Sequence, residues 1–189
     1  MSVAAASKTL VLRCVALLGV ALWGVALGAL MPGCQGPKGP SWAKGEYRDG
    51  RVAFAVQELP ASFRPVSMPH AVLAFRDDAR GASVLLNARC QDEGEGTPLV
   101  ALTNHLLMGT TERDVQEQVT EPLDGREALH SVVTAKLDGV PYAFDVFVLR
   151  KDGCIYDFVH IAPPGHAPSA QEFRAFARSF RTLPPGAPR

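Results

Sequence analysis

The sequence predicts an α+β fold: an antiparallel β-sheet of about six or seven strands, packed by a short middle helix and a C-terminal amphipathic helix. Three observations support this prediction. Apolar segments with strand-like alternation recur between residues 51 and 161, and turn-forming residues separate them. One segment near the middle and one near the end have helical spacing instead. The predicted order is therefore strands, a helix, further strands and a terminal helix, and such an order is typical of the α+β class.

Seven strands are predicted, at residues 51–57, 72–75, 82–88, 114–120, 128–137, 142–149 and 154–161. In the first, Val52, Phe54 and Val56 alternate on one face. Residues 60–69 are predicted to be a connection, and the turn-rich residues 77–81 indicate a hairpin. The last two strands flank an Asp-Gly turn, which is a strong hairpin signal. Both are apolar on more than one face, as in central strands covered on both sides.

A short helix is predicted at residues 98–108, because a proline lies in its first turn and a glycine follows its end. Its buried face consists of Leu99, Leu102, Leu106 and Leu107. This helix is expected to cover one face of the sheet.

The C-terminal helix is predicted from a capping box at residues 169–172, where the serine and the glutamate satisfy free amides of the first turn. Phe173, Phe176, Ala177 and Phe180 then recur at helical spacing, with arginines between them. We interpret this stripe as the surface that packs on the sheet.

Charge is balanced over the whole chain but not along it. The chain has 19 basic and 19 acidic residues, and residues 1–33 contain Lys8 and Arg13 without any acid. Subtracting these two cations leaves 17 basic against 19 acidic residues, a net charge of −2. Recognition of nucleic acid requires a clearly basic surface, so we predict no nucleic-acid partner.

The N-terminus has the features of a secretory signal: a modestly positive start, an uncharged apolar run over residues 14–31, and a break. The break, Met31-Pro32-Gly33-Cys34, resembles the lipobox of bacterial lipoprotein signal peptides. Gly33 and Cys34 match that pattern and Met31 matches loosely, whereas Pro32 replaces the usual Ala, Ser or Thr.

This resemblance implies that the thiol of Cys34 receives diacylglycerol, that cleavage occurs before it, and that the new amine receives an acyl chain such as palmitate. Two or three chains anchor a protein far more firmly than one. The expected location is the cell envelope, with the domain facing the periplasm or the exterior. Gln35 in place of aspartate favours the outer membrane. Two alternatives stay open: an uncleaved anchor helix, since about 18 apolar residues can span a bilayer, and ordinary secretion.

The predicted domain organisation has four parts. Residues 1–33 form the signal peptide, and residues 34–46 form a lipidated Gly/Pro-rich tether. Residues 47–183 form a single α+β domain, and residues 184–189 form a disordered tail.

The four cysteines have different expected fates. Cys14 leaves with the signal peptide, and Cys34 is the lipidation site. Cys90 and Cys154 remain in an oxidising compartment, where a disulfide between them is chemically permitted. The alternative is that both are unpaired, small apolar side chains.

No catalytic, cofactor or metal motif is present. The five histidines are scattered without His-x-x-x-His spacing, and neither Cys-x-x-Cys nor Gly-x-Ser-x-Gly occurs. His160 alternates with Tyr156 and Phe158, which indicates a packed strand histidine. The acidic residues 77–78 and 92–95 lack the spacing of a calcium loop and are interpreted as solvated turns. We therefore predict no catalytic residues, no metal and no cofactor.

Residues 123–128 (LDGREA) before a long strand, with a final helix ending in Arg178-Ser179-Phe180, resemble the PsbP-like group. That group includes bacterial lipoproteins of the DcrB type. The resemblance covers about residues 51–183 and implies an α/β/α sandwich. It also implies a non-enzymatic accessory, assembly or binding role, and the group has no shared catalytic residues.

Two functional hypotheses follow. The first is a membrane-anchored, non-catalytic lipoprotein that acts as a binding or scaffolding module and has a protein partner in the envelope. The second is an envelope hydrolase or other enzyme whose site is dispersed over loops. The missing motifs favour the first. A pocket with convergent titratable groups favours catalysis, whereas a shallow patch with an apolar centre favours a partner.

Overall fold

The computed structural model describes residues 40–50, 52–90 and 96–184. The predicted signal peptide, Cys34 and residues 92–95 lie outside these ranges. In chain order, the described residues form β1 (Ser41–Ala43), β2 (Glu46–Asp49), β3 (Val52–Ala55), β4 (Arg64–Pro65), β5 (Leu73–Asp77), β6 (Ala82–Cys90), α1 (Leu99–Leu106), β7 (Thr110–Leu123), β8 (Arg126–Leu137), β9 (Val140–Lys151), β10 (Cys154–Ala162), α2 (Ala167–Arg178) and β11 (Arg181–Thr182).

The main sheet has seven antiparallel strands in the order β4-β5-β6-β10-β9-β8-β7. The predicted hairpins β5-β6 and β9-β10 are both present. A second sheet, with the order β1-β2-β3-β11, was not predicted. β3 corresponds to the strand predicted at residues 51–57, whereas β1, β2 and β11 have only two to four residues, which is too short for alternation to be recognised. For the same reason β4 was missed inside the predicted connection.

The predicted tether at residues 34–46 extends too far into the fold. β1 pairs with β2, and Trp42 packs partly buried against the main core. Gly45 has a φ of 74°, and a Cβ at this position would lie 2.5 Å from the carbonyl oxygen of Val56. This glycine is therefore required by a tight turn between two strands and does not loosen a linker.

The two faces of the sheet carry two separate cores. On β9, Phe147 and Leu149 point toward α2, whereas Val146 and Val148 point toward α1. The predicted phenylalanine stripe of α2 is fully buried in the first core, and the leucines of α1 pack on the second. The helices thus cover opposite faces, which is consistent with the predicted α+β class.

The predicted capping box is wrong. α2 begins at Ala167 after the N-cap residue His166, and no side chain caps it. The Ser169 hydroxyl instead lies 3.0 Å from His160 Nε2, and the Glu172 carboxylate pairs with Arg80. Tertiary partners have replaced the local hydrogen bonds that the sequence pattern indicates.

The predicted tail at residues 184–189 begins one residue too early. The carbonyl oxygen of Pro184 accepts a hydrogen bond of 3.3 Å from Arg48 Nη1 in β2. The remaining residues of that prediction lie outside the described ranges.

Candidate functional site

A groove follows α2 on the side that faces β8 and β9. We call it the α2 groove and define it by side chains of the sheet, of the segment before α2, and of α2 itself: Val132, Ala143, Asp145, His160, Ala162, His166, Ala167, Ala170, Gln171, Arg174 and Arg178. It contains a cleft of about 200 Å³ between the sheet and the start of the helix. An open depression of about 590 Å³ adjoins it along the exposed side of α2, between Ala167 and Arg178. Sites for drug-sized ligands usually enclose about 300–1,000 Å³, so the cleft taken alone fits a smaller group.

The groove exists because α2 lies off-centre on the sheet. Its phenylalanines pack over β10 and toward the second sheet; Phe180, for example, lies 4.8 Å from Tyr156 and 5.5 Å from Phe54 between ring centroids. The α2-facing side chains of β8 and β7 therefore remain beside the helix and not beneath it. Small residues along that side of the helix, such as Ala167 and Ala170, leave the space open.

Asp145 is the centre of a buried polar cluster in the groove. One carboxylate oxygen lies 2.8 Å from His130 Nε2, and the other accepts a hydrogen bond of 2.6 Å from Arg174 Nε. Asp145 is only 3% exposed, and the His130 ring stacks on Phe147 at a centroid distance of 4.2 Å. A carboxylate this deeply buried is tolerated because both of its oxygens have partners.

His160 and Ser169 form a second polar pair close to the first. The Ser169 hydroxyl lies 3.0 Å from His160 Nε2 and 3.0 Å from the carbonyl oxygen of His166. A carbonyl only accepts, so the hydroxyl donates to His166, and Nε2 donates to Ser169. Burial lowers the pKa of His160 to about 4, because removal from water disfavours the imidazolium. The sequence interpretation of His160 as a packed strand histidine agrees with this geometry.

The third polar contact of the groove is an ion pair between α2 and β7. Arg178 donates to both carboxylate oxygens of Glu121, at 2.8 and 2.9 Å, and its guanidinium lies 5.6 Å from the Phe147 ring centroid. The hydrogen bond from Arg178 holds the pKa of the Glu121 carboxyl below its ordinary value. This bidentate pair links the last turn of α2 to the edge strand of the sheet.

β7, the edge strand of the main sheet, lies next to β8 and contributes no lining residue to the cleft. Its register with β8 shifts between Val115 and Glu117, so the strand contains a bulge. The shift places Val115 opposite Val133, which faces α1, and Val119 opposite His130, which faces α2. Two exposed valines of one strand thus lie on opposite faces of the sheet.

Ser169 is not arranged as a nucleophile in this groove. Ser169 is fully buried, and its only proton is donated to a backbone carbonyl. A nucleophilic serine requires a histidine that accepts this proton, and His160 donates to it instead. Asp145 orients His130, which contacts no serine in the hydrogen bonds of the described residues. The same residues contain no group of three metal-ligating side chains.

The other residues considered from the sequence lie apart from the groove. His70 and His105 are exposed, in a connection and on α1. Asp78 is exposed as predicted, whereas the prediction of a solvated turn is wrong for Asp77. Asp77 is buried and accepts a hydrogen bond of 3.1 Å from the backbone N–H of Arg80.

Cys90 and Cys154 are joined by a disulfide, with their Cα atoms 4.1 Å apart. They lie directly opposite each other where β6 meets β10. The link encloses a segment that contains α1 and the strands β7 to β9.

Sequence reasoning did not single out Asp145 or Arg174, and it left His130 among the scattered histidines. The available signal was a polar residue at a core-facing position of an otherwise apolar strand. Within the ranges that the structure describes, neither helix is long and apolar enough to cross a membrane.

Neither a known family model nor a curated protein sequence matches the chain. Solved structures do match. PsbP (CyanoP) from the cyanobacterium Synechocystis superposes with a TM-score of 0.52 and 16% identity, over 80% of this chain and 100% of that one. The fold is PsbP-like. This finding confirms the fold implied by the sequence resemblance, and at this identity it extends no further than the fold.

Two further solved structures were compared. A protein from Bacteroides thetaiotaomicron superposes with a TM-score of 0.51 and 9% identity, over 72% of this chain. The match covers 47% of the Bacteroides protein, which is about half of its length. LpqN of Mycobacterium tuberculosis, which is involved in cell envelope biogenesis, has a TM-score of 0.49 and 10% identity, over 70% of this chain and 86% of LpqN.

Proposed function

We propose that this protein is a lipid-anchored, non-catalytic binding module of the bacterial cell envelope, and that the α2 groove is its binding surface. Cys34 is the lipidation site in this proposal. The folded domain recruits or positions another envelope protein, and no bond is made or broken in it.

The observation that supports binding most strongly is the pairing of polar groups in the groove. Both oxygens of Asp145 are bonded, one to His130 and one to Arg174, and both oxygens of Glu121 are bonded to Arg178. Within the described residues, His130 Nδ1 is the one buried atom of this cluster without a hydrogen-bond partner. Groups that are already bonded to each other hold a surface in one shape, whereas catalytic groups must be available to a substrate. The PsbP-like fold, whose sequence group is mostly accessory, is compatible with this role.

The anchor is supported by the N-terminal sequence alone. A charged start, an uncharged apolar run and Gly33-Cys34 form a lipobox-like signal. Residues 35–40 then separate the lipidation site from β1, so the domain would lie close to the bilayer surface. The outer membrane is the proposed destination.

The anchor is tested by metabolic labelling with a clickable fatty acid in a bacterial host. The full chain should incorporate the label, and Cys34→Ala should not. Cys90→Ser is the matched control, because it removes a cysteine of the folded domain and should leave labelling unchanged. Label in Cys34→Ala, or a label-free wild-type protein in the aqueous fraction, would exclude the lipoprotein assignment.

Binding is tested by crosslinking in native envelopes, followed by identification of the captured protein. We expect one predominant protein partner. Absence of any partner, together with turnover of a defined substrate that Ser169→Ala or Asp145→Asn abolishes, would instead establish the enzyme alternative.

A further inference from the structure

The positively and negatively charged side chains around the α2 groove do not balance. Two arginines, Arg174 and Arg178, face three carboxylates, Asp145, Glu121 and Glu117. The first two carboxylates are paired with the arginines, and Glu117 forms no salt bridge within the described part of the chain. One negative charge therefore remains uncompensated, and it lies on β7, one strand beyond the floor of the cleft.

The position of Glu117 relative to the cleft follows from the register. Glu117 lies opposite Val132, and Val132 lines the cleft beneath α2. Its charge also acts on Arg178, whose pKa is raised mainly by its hydrogen bond to Glu121 and further by Asp145 and Glu117. The free carboxylate is thus one strand away from the apolar floor of the groove.

Apolar surface lies beside this charge. Val119 is 41% exposed and is two residues from Glu117 on the same face of β7. The cleft itself is lined largely by alanines and Val132, with little polar surface besides the hydrogen-bonded cluster. At about 200 Å³, the cleft has room for one apolar side chain.

A protein segment could bind here in two ways, by adding a strand to the β7 edge or by docking on the groove face. Strand addition requires a regular row of free backbone groups, and the register shifts on both sides of Val115 interrupt that row in the first half of β7. From Glu117 onward the register is regular, so the bulge does not separate the two modes there. Docking on the face is favoured because the face offers the apolar cleft and the exposed side chain of Val119 beside the carboxylate.

We propose that the α2 groove binds a protein segment in which an apolar side chain, seated in the cleft, is adjacent to a lysine or arginine that pairs with Glu117. This proposal rests on the binding function proposed above and specifies the partner's chemistry. An apolar anchor in a pocket with a charged contact at its rim is a common arrangement in protein recognition.

The test uses the purified full chain in detergent as bait for a phage-displayed random-peptide library. We expect the enriched peptides to share an apolar residue next to Lys or Arg. A selected peptide, synthesised with a fluorophore, should bind Glu117→Lys about tenfold more weakly, because an exposed attractive pair becomes repulsive. Ala170→Trp, which fills the cleft, should abolish binding while thermal unfolding of the protein stays cooperative.

Glu127→Lys is the matched control. Glu127 is exposed on the neighbouring strand of the same hairpin, outside the groove, and the substitution makes the same change of charge. Its affinity for the peptide should equal that of the wild type. Enrichment of acidic or uncharged peptides, equal binding by Glu117→Lys, or no enrichment at all would overturn the proposal.

The two proposals fail in different ways. If crosslinking in envelopes captures a partner but the peptide results are negative, the binding function stands and the groove chemistry is wrong. If crosslinking finds no partner, the binding function itself is wrong.

Discussion

Acid destabilisation through His160 gives a quantitative test of the buried polar cluster. Burial lowers the pKa of this imidazole to about 4, against about 6.5 in an unfolded chain. The unfolded state therefore binds a proton between these two values and the folded state does not. It follows that stability is complete above about pH 7 and falls as the pH decreases from 6.5 toward 4.

The magnitude follows from the same two values. The difference between 6.5 and about 4, at about 1.36 kcal/mol for each pH unit, limits the total loss to about 3 kcal/mol. About 2 kcal/mol of this should be lost between about pH 7 and pH 5. The groups that face His160 partly oppose one another, since Asp145 and Glu172 favour the imidazolium, whereas Arg174 and His166 disfavour it.

The assay is urea unfolding of the full chain in detergent at several pH values, followed by tryptophan fluorescence. His160→Gln removes the titration and keeps an amide that can donate to Ser169, so its stability should depend less on pH by the amount above. His70→Gln, at an exposed site, controls for loss of one histidine. Parallel pH profiles for wild type and His160→Gln would refute the reasoning, because another group would then be responsible for the acid sensitivity.

Three further predictions concern stability. Phe173→Ala should cost about 3–5 kcal/mol in urea unfolding, because this fully buried ring stacks on His160 and contacts Phe147; a loss below about 1 kcal/mol would contradict the packing of α2. Replacing Cys90 and Cys154 together by serine should cost about 4 kcal/mol, because the disulfide closes a separation of 64 residues; two titratable thiols in the unreduced wild-type domain would show that the bond is absent. Arg178→Ala should cost about 1 kcal/mol or less, since the pair it forms is half exposed; a much larger loss would mean that the pair is a main attachment of α2.

The part of the fold that could be predicted from sequence is the part set by periodicity. Six of the seven predicted strands belong to the main sheet, where they span five to fourteen residues, so alternation and turn residues identify them. The phenylalanine spacing of α2 identified its packing surface in the same way. Alternation could not reveal β1, β4 or β11, whose two or three residues contain no repeat.

The failures at α2 and at the turn before β6 have a different cause. Ser169 and Asp77 both fit local patterns, a helix cap and a solvated turn. In the folded chain both residues are buried. Ser169 contacts His160 on β10, and Asp77 lies at a turn whose Arg80 pairs with Glu172 of α2. Tertiary contacts therefore decide the roles of both residues.

The candidate site was only partly accessible to sequence reasoning. His130 and Asp145 belong to consecutive strands joined by a tight turn, so the hairpin register places them on the same face of the sheet. A polar residue on such a face indicates a buried partner. Arg174 lies on a helix whose position depends on the whole core, and its contact with Asp145 is therefore not encoded in any local pattern.

The central claim, that the α2 groove is a binding surface, is tested most directly by photocrosslinking from β7. A photoreactive amino acid is placed at Val119, on the groove face, or at Val115, which is also exposed but on the opposite face of the same strand. In intact envelopes we expect a discrete protein adduct from Val119 that the Glu117→Lys change weakens, and none from Val115. Equal adducts from both positions, or an adduct from Val115 alone, would contradict the claim.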